Sequence, residues 1–222
     1  MVTPPLSILH RCDRLVAVDK PAGMVVHRSE WCRDGEPVLQ RLRDQIGQRV
    51  HPLHRLDRAT SGVLVFALDA DAARHVAAQF AAHTIGKRYL AIVRGWPDAH
   101  GVVDYPLAED ANAPAYDAVT EYRRAGVVEL PIAVGRYPTS RYALMDVRPR
   151  TGRTHQIRRH FAHLRHPVVG DVGHGDGKHN RMWRCVLGRP GMMLRSVFLA
   201  LVDMDGTELR IEAESRLVLP IA

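Results

Sequence analysis

Cysteine is scarce in this chain. Its 222 residues include only Cys12, Cys32 and Cys185. The number is odd and no two of them form a CxxC pair, so the sequence predicts neither a disulfide framework nor a cysteine zinc knuckle. A protein without disulfides suits a reducing compartment, and we therefore expect a cytoplasmic location.

Long apolar runs and several common functional motifs are also missing. No stretch approaches the ~18 apolar residues that a membrane helix requires, and residues 1–5 do not resemble the start of a signal peptide. The glycine-rich segment 170–177 matches neither a P-loop nor a dinucleotide-binding fingerprint, and no HExxH motif is present. We therefore expect no membrane span, no nucleotide cofactor and no metal.

Lysine is nearly absent, whereas arginine is abundant. Only 3 of the 31 lysine and arginine residues are lysines, and the formal net charge is +7. Such a charge favours a polyanionic partner, and arginine suits phosphate recognition and base stacking better than lysine does. Codon bias in a GC-rich genome would enrich arginine in the same way. The composition alone therefore does not decide between an RNA-binding role and codon bias.

One acidic residue lies in an unusual setting. Asp57 is flanked by Arg55 and Arg58, and the turn-forming residues 60–62 lead into the apolar run 63–68. This run predicts a strand buried on both faces, so that Asp57 lies on a loop fixed by a rigid strand. Neighbouring guanidinium groups favour the ionised carboxylate, which can act as a nucleophile or a base. A structural ion pair would produce the same spacing.

The rest of the chain predicts many short strands and few helices. Strands are expected at 15–19, 24–27, 87–93, 119–124, 127–134, 142–148, 194–202 and 207–213. Helices are expected at 36–46, 72–83 and 154–164, and residues 98–118 are expected to form a surface excursion. Because strand–helix–strand units do not recur, we predict an α+β fold with a mixed, mainly antiparallel sheet and flanking helices.

The helix predicted at 154–164 is strongly basic. Its apolar stripe is centred on Ile157, and Arg158 lies just beside that stripe. Arg158 is therefore expected to point inward and to pair with a buried carboxylate, whereas Arg159 should point to solvent and suit a phosphate. A solvated basic face is the alternative interpretation of the same pattern.

The histidines of this region and one tyrosine have alternative interpretations. His155, His160, His163 and His166 do not share one helix face, and no carboxylate lies in the helix, so a zinc site and a metal-hydrolase function are disfavoured. Tyr89 lies in a predicted strand, where it would serve the core or stack on a nucleic-acid base.

Three segments together resemble the pseudouridine synthases of the ribosomal large-subunit class. They are HRLDRATSG at 54–62, DKPAGMVVH at 19–27, and GRTHQIR at 152–158 followed by HPVVGD at 166–171. Their order and spacing are more specific than any one of them, and the resemblance extends over about residues 8–205. It implies one catalytic domain over residues 1–222, with a central active-site cleft and no separate N-terminal RNA-binding domain.

The resemblance also implies the chemistry and the residues that perform it. Asp57 would be the essential carboxylate, Tyr89 would stack on the target uracil, and Arg158 would hold Asp57 ionised through a charge-assisted pair. Isomerisation of uridine to pseudouridine is redox-neutral and needs no metal or cofactor. The implied RNA contacts are His54, Arg55, Arg58, Arg153, His155 and Arg159.

The implied partner is tRNA, with uridine 65 as the target. Two alternatives share the fold: a related synthase that acts on 23S ribosomal RNA, and a non-catalytic RNA-binding module. The sequence carries no signal for an oligomeric state, and a monomer is favoured. Arg195 stands where the family commonly has histidine.

Overall fold

The structure, a computed structural model, describes residues 4–27, 35–110 and 113–221. The chain forms two compact units, one of Met1–Lys87 with Ser196–Glu214 and one of Arg88–Arg195 with Ser215–Ala222. The prediction of a single catalytic domain with a central cleft stays a prediction. No helix in the described ranges is long and apolar enough to cross a membrane.

Twelve strands and four helices are present in the described ranges. In chain order they are β1 (Ser7–Arg11), β2 (Leu15–Lys20), α1 (Val38–Ile46), β3 (His51–Pro52), β4 (Ser61–Ala67), α2 (Ala70–Ala81), β5 (Gly86–Arg94), β6 (His100–Asp104), β7 (Leu107–Ala108), β8 (Ala115–Tyr116), β9 (Val119–Leu130), β10 (Ser140–Pro149), α3 (Gln156–His163), α4 (Gly177–Cys185), β11 (Leu194–Val202) and β12 (Glu208–Glu212). Antiparallel pairing joins β1 to β2, β2 to β4, β3 to β4 and β11 to β12 in the first unit. In the second unit it joins β5 to β10, β10 to β9, β9 to β6 and β7 to β8, and the predicted α+β class is confirmed.

The first unit is built around β2 and β4, which pair antiparallel and are almost wholly buried. The prediction that the run after Asp57 is a buried strand is confirmed. At Gly62, near the start of this strand, the backbone has φ +109°, and an added Cβ would lie 1.9 Å from the carbonyl oxygen of Ser196. Only glycine lets the backbone of β4 approach the backbone at Ser196 so closely. This close packing fixes the position of the start of β4.

Helix α2 covers this sheet. It begins after Asp69, whose Oδ1 accepts a hydrogen bond from the backbone amide of Ala72 at 2.8 Å and thereby caps the helix. Ala72 and Val76 point into the core, where they meet apolar side chains of the strands. The strand side chains of this core include Leu15, Ala17, Val63, Val65, Leu199 and Ile211.

The second unit contains a four-stranded antiparallel arrangement in the order β5–β10–β9–β6. Helix α3 packs on one face, where Phe161 meets Tyr122 with ring centroids 5.5 Å apart. Helix α4 packs on the opposite face, where the buried Trp183 lies edge-on to Tyr142 at 5.0 Å. The two faces follow from the alternation of side chains along β9 and β10.

Several predicted elements were wrong in extent. The strands predicted at 119–124 and 127–134 are one strand, β9, with a bulge opposite Leu144 and Met145. The excursion predicted at 98–118 contains β6, β7 and β8. Residues 24–27 form no strand; instead, the carbonyls of Val25 and Val26 accept hydrogen bonds from the first amides of α1. Helix α4 was not predicted at all.

Candidate active site

Asp57 lies on the loop between β3 and β4, where it is half-buried. The Asp57 carbonyl accepts a hydrogen bond from the amide of Thr60 at 3.0 Å, which closes a turn directly before the strand. The loop is short and ends on a largely buried strand. The predicted position of this carboxylate, on a loop held by a rigid element, is confirmed.

Lys20, at the end of β2, fixes the same loop from inside. Its side chain is fully buried, and Nζ donates hydrogen bonds to the carbonyls of Pro21 at 2.9 Å, Arg58 at 3.2 Å and Thr60 at 2.8 Å. An ammonium group has three donors, and these three carbonyls match that number. Burial lowers the pKa of Lys20 to about 8, while the negative charge of Asp57 acts in the opposite direction. Lys20 therefore connects β2 to the backbone on the C-terminal side of Asp57.

Sequence reasoning did not identify Lys20 as a site residue. The available signal was its rarity, because it is one of three lysines, and its position at the end of an apolar strand before the Pro21–Gly23 turn. That turn is itself attached to the loop. The Gly23 amide donates to the Arg58 carbonyl at 2.7 Å, and Arg58 Nε donates to the Gly23 carbonyl at 2.9 Å.

His54 has contacts that are structural in kind. Its Nε2 accepts a hydrogen bond from the amide of Val65 at 3.1 Å, and its ring stacks on Phe80 with centroids 5.3 Å apart. Burial and the charge of Lys87 lower the pKa of His54 to about 4. A neutral imidazole whose Nε2 accepts a bond offers no charge to a phosphate, so these contacts favour a structural role over the predicted RNA contact.

Arg55 and Tyr89 lie in different settings. Arg55 is exposed on the Asp57 loop, as an RNA contact requires. Tyr89 lies in β5 and is half-buried. It is paired with Val147 of β10, and Val147 is paired in turn with Tyr122 of β9, so Tyr89 shares the face that α3 covers.

Arg158 points inward, as its position beside the apolar stripe predicted, with an exposure of only 9%. It binds the carboxylate of Asp171, which lies between α3 and α4 in sequence. Arg158 Nε donates to Oδ2 at 2.7 Å and Nη2 donates to Oδ1 at 2.8 Å. This two-point, charge-assisted pair fixes the plane of the guanidinium group. The prediction that Arg158 pairs with a buried carboxylate is thus confirmed, although Asp171 itself was not predicted.

Asp171 is buried and accepts hydrogen bonds from two backbone amides as well as from Arg158. It is 1% exposed, and its Oδ1 also accepts hydrogen bonds from the amides of Gly173 at 2.9 Å and His174 at 3.0 Å. Burial alone would raise the pKa of Asp171, but Arg158 and the two amides outweigh burial and lower it. The carboxylate is therefore ionised at neutral pH, and the pair with Arg158 is a pair of full charges.

Two arginines predicted to bind RNA attach α3 and the turn before it to the segment that carries β7 and β8. Arg159 is half-buried and donates from Nη1 to the Ala108 carbonyl at 2.8 Å, so the prediction that it points to solvent was wrong. Arg153 donates from Nε to the Asp117 carbonyl at 3.0 Å. Periodicity missed this because the β7–β8 segment, far away in sequence, covers that side of the helix.

The four histidines have separate partners. His155 Nδ1 lies 3.0 Å from His174 Nε2, and His160 lies between Thr120 Oγ1 at 2.9 Å and a backbone carbonyl. His163 stacks on a tyrosine ring and His166 contacts the Arg94 carbonyl. No group of three histidine, cysteine, aspartate or glutamate side chains gathers for a metal ion within the described ranges.

Comparison with known proteins identifies the family. A family model described as RNA pseudouridylate synthase matches residues 14–163. The tRNA pseudouridine synthase C of Vibrio cholerae serotype O1 is 53% identical over 203 residues, which cover 86% of this chain and 83% of that relative. The tRNA pseudouridine synthase C of Salmonella typhi is 52% identical over 187 residues, which cover 79% of this chain and 72% of that relative.

Solved structures share the fold. Human RNA Pseudouridylate Synthase Domain Containing 1 has a TM-score of 0.77 at 23% identity, with 96% of this chain and 84% of that chain covered. Human RNA Pseudouridylate Synthase Domain Containing 4 has a TM-score of 0.71 at 26% identity, with 94% and 88% covered. The chain belongs to the RNA pseudouridylate synthase family, and the resemblance drawn from the three sequence segments is confirmed.

Proposed function

We propose that this chain is a pseudouridine synthase that acts on tRNA and converts uridine 65. The observation that carries the proposal is the 53% identity, over 86% of this chain, with a relative named tRNA pseudouridine synthase C. The net charge of +7 suits a polyanionic substrate.

The reaction exchanges one bond of the uracil for another. The bond between N1 and the ribose C1′ breaks, the base rotates, and C5 bonds to C1′ while the C5 proton is released and N1 gains a proton. Asp57 is the proposed essential group, either as a nucleophile or as the base that removes a sugar proton. Its half-buried position on a loop held by Lys20 supports a role that requires a fixed carboxylate.

The proposed roles of Arg158 and Tyr89 rest on the family motifs. Arg158 would stabilise the ionised catalytic carboxylate. Tyr89 would stack on the uracil after the nucleotide leaves its helix, a step that costs a few kcal/mol.

The proposed RNA-binding residues differ in exposure and in the hydrogen bonds that they already make. Arg55 is exposed and is the strongest candidate to hold the strand near the flipped nucleotide. Arg58 is exposed beside Asp57 and donates from Nε to the Gly23 carbonyl. Arg153 and Arg159 each donate to a backbone carbonyl, and a guanidinium group carries further donors that suit phosphate. His155 is close to His174, and any contribution to RNA binding would be shared with it.

The test is tritium release from C5-labelled uridine. Purified protein is incubated with bulk tRNA and, separately, with ribosomal RNA, and the modified position is then mapped. The proposal predicts release from tRNA alone and a single new pseudouridine at position 65. Release confined to ribosomal RNA would reject the tRNA assignment, and release from neither RNA would reject the enzymatic function.

Two further properties belong to the same proposal. A protein that modifies tRNA is expected in the cytoplasm, where that substrate is found. We also expect a monomer, which sedimentation of the purified protein alone and with tRNA would test. A stable dimer in both conditions would contradict that expectation.

A further inference from the structure

We propose that a second RNA-binding surface lies on the sheet of the second unit, on the face opposite α3. It consists of Arg88, Arg123 and Arg148 around the carboxylate of Asp146, and we refer to it as the arginine patch. The ligand is the phosphate backbone of the RNA substrate, so this inference rests on the proposed function.

Three strands bring the patch together. Asp146 of β10 is 3% exposed, and its Oδ1 accepts a hydrogen bond from Arg88 Nε of β5 at 3.0 Å. Arg123 Nη2 of β9 lies 3.8 Å from Oδ2, and Arg148 Nε of β10 lies 3.8 Å from Oδ1. The buried carboxylate thus gathers three guanidinium groups on a rigid, hydrogen-bonded surface.

The charge of the patch is only partly neutralised. Three guanidinium groups face one carboxylate, which leaves a net charge of +2. A further acid, Glu121, is the β9 partner of Arg148 in the sheet, and it is already engaged by Arg150. No other acidic partner of the three arginines is found among the described residues.

The three arginines are also accessible. Their side-chain exposures are 45% for Arg88, 70% for Arg123 and 64% for Arg148. On the neighbouring edge strand, Val102 lies opposite Glu121 and is 61% exposed, so this end of the sheet is open to solvent. Arginine binds phosphate through two parallel hydrogen bonds, and converging arginines on a fixed strand surface suit a polynucleotide backbone.

The position of the patch separates it from the proposed base-stacking residue. Along β10, Asp146 and Arg148 alternate with Val147, which is paired with Tyr89 and with Tyr122. The patch and Tyr89 therefore lie on opposite faces of the same strands. The phosphates bound by the patch must belong to RNA outside the nucleotide that stacks on Tyr89.

Salt dependence of binding tests the patch without requiring turnover. The Arg123→Gln/Arg148→Gln variant retains Arg88 and Asp146 and removes two exposed charges. The matched control is Arg74→Gln/Arg210→Gln, which removes two similarly exposed arginines that each pair with one carboxylate of the first unit. The affinity of each protein for full-length tRNA is measured by filter binding over a range of salt concentrations.

Loss of two phosphate contacts reduces the slope of log affinity against log salt by about 1.4–1.8. We expect this change for the patch variant, no change for the control, and an unchanged kcat at saturating tRNA for both. A short stem-loop that contains only the target region should show no difference between the variants. The patch is rejected if its variant and the control have the same slope with full-length tRNA, or if the stem-loop loses as much affinity.

The proposed function can fail separately. If the wild-type protein binds tRNA with the steeper slope but forms no pseudouridine, the enzymatic assignment is wrong while the patch stands. Matching thermal unfolding midpoints would establish that the variants are folded, and we expect them to match because exposed ion pairs contribute little to stability.

Discussion

The guanidinium group of Arg158 and the carboxylate of Asp171 form a buried pair joined by two hydrogen bonds of 2.7 and 2.8 Å. The pair determines how Arg158 can be used, because one edge of the guanidinium group is committed to it. Arg158, in the third family motif, is therefore paired with Asp171, thirteen residues further along the same motif region. We regard Asp171 as a residue that positions Arg158.

Removing the Asp171 carboxylate should destabilise the folded protein. In Asp171→Ala, a buried arginine loses its carboxylate, and breaking such a pair lowers the free energy of unfolding by about 3–5 kcal/mol. Urea unfolding measures this loss. The control is Glu208→Ala, which removes the partner of the exposed Arg210 and should change stability little. Equal stabilities for the two variants would contradict the assignment.

The positioning role has its own readout. Asp171→Asn keeps the size of the side chain and one acceptor oxygen, but loses the charge that orients Arg158. We expect kcat for pseudouridine formation to fall while KM for tRNA changes little, because binding of the RNA backbone does not depend on the pair. A rise in KM at constant kcat would show that Asp171 serves RNA binding instead.

Lys20 makes a prediction about the loop that carries Asp57. Lys20→Met removes the three Nζ hydrogen bonds, and the Arg58 carbonyl keeps the Gly23 amide as a donor. The Pro21 and Thr60 carbonyls lose the lysine, and an unsatisfied buried group costs about 1–3 kcal/mol. The free energy of unfolding should fall by an amount in that range. Lys178→Met, which alters an exposed lysine, is the matched control and should change it little. A Lys20 variant as stable as this control would show that the three hydrogen bonds do not hold the loop.

His54 should make the protein sensitive to acid. Its pKa is about 4 in the folded chain, below the ordinary value of 6.5, because burial and the charge of Lys87 disfavour the protonated ring. The unfolded chain therefore binds more protons between these two values, and stability falls as the pH is lowered through that window. A His54→Asn variant has no titrating group at this position. The stability difference between wild type and variant should shrink from pH 6.5 towards pH 4, and a difference independent of pH would contradict the prediction.

Local sequence patterns predicted the elements that are apolar and buried along their whole length. β4 was evident because an apolar run between a glycine and an aspartate is typical of a buried strand. Helix α4 was missed because its sequence, GKHNRMWRC, is mostly polar and has only two buried side chains, Met182 and Trp183. Its stability comes from packing against Tyr142 and other residues distant in sequence.

The sequence predicted which residues belong to the candidate site, but it did not predict which of them contact one another. Helical periodicity placed Arg158 on the inner side, yet no local pattern identifies Asp171, Lys20 or the carbonyl that holds Arg159. Those contacts join segments that are separated by loops, and the fold alone brings them together. The bulge in β9 has the same origin, since an extra residue in one strand is visible only against its partner.

The central claim is that the Asp57 carboxylate converts uridine to pseudouridine. It is tested most directly with Asp57→Asn, which keeps the shape of the side chain but removes its charge. Tritium release from C5-labelled tRNA and the affinity for the same tRNA are measured together. We predict that the variant binds tRNA as the wild type does and releases no tritium. Release at the wild-type rate by the variant would contradict the claim.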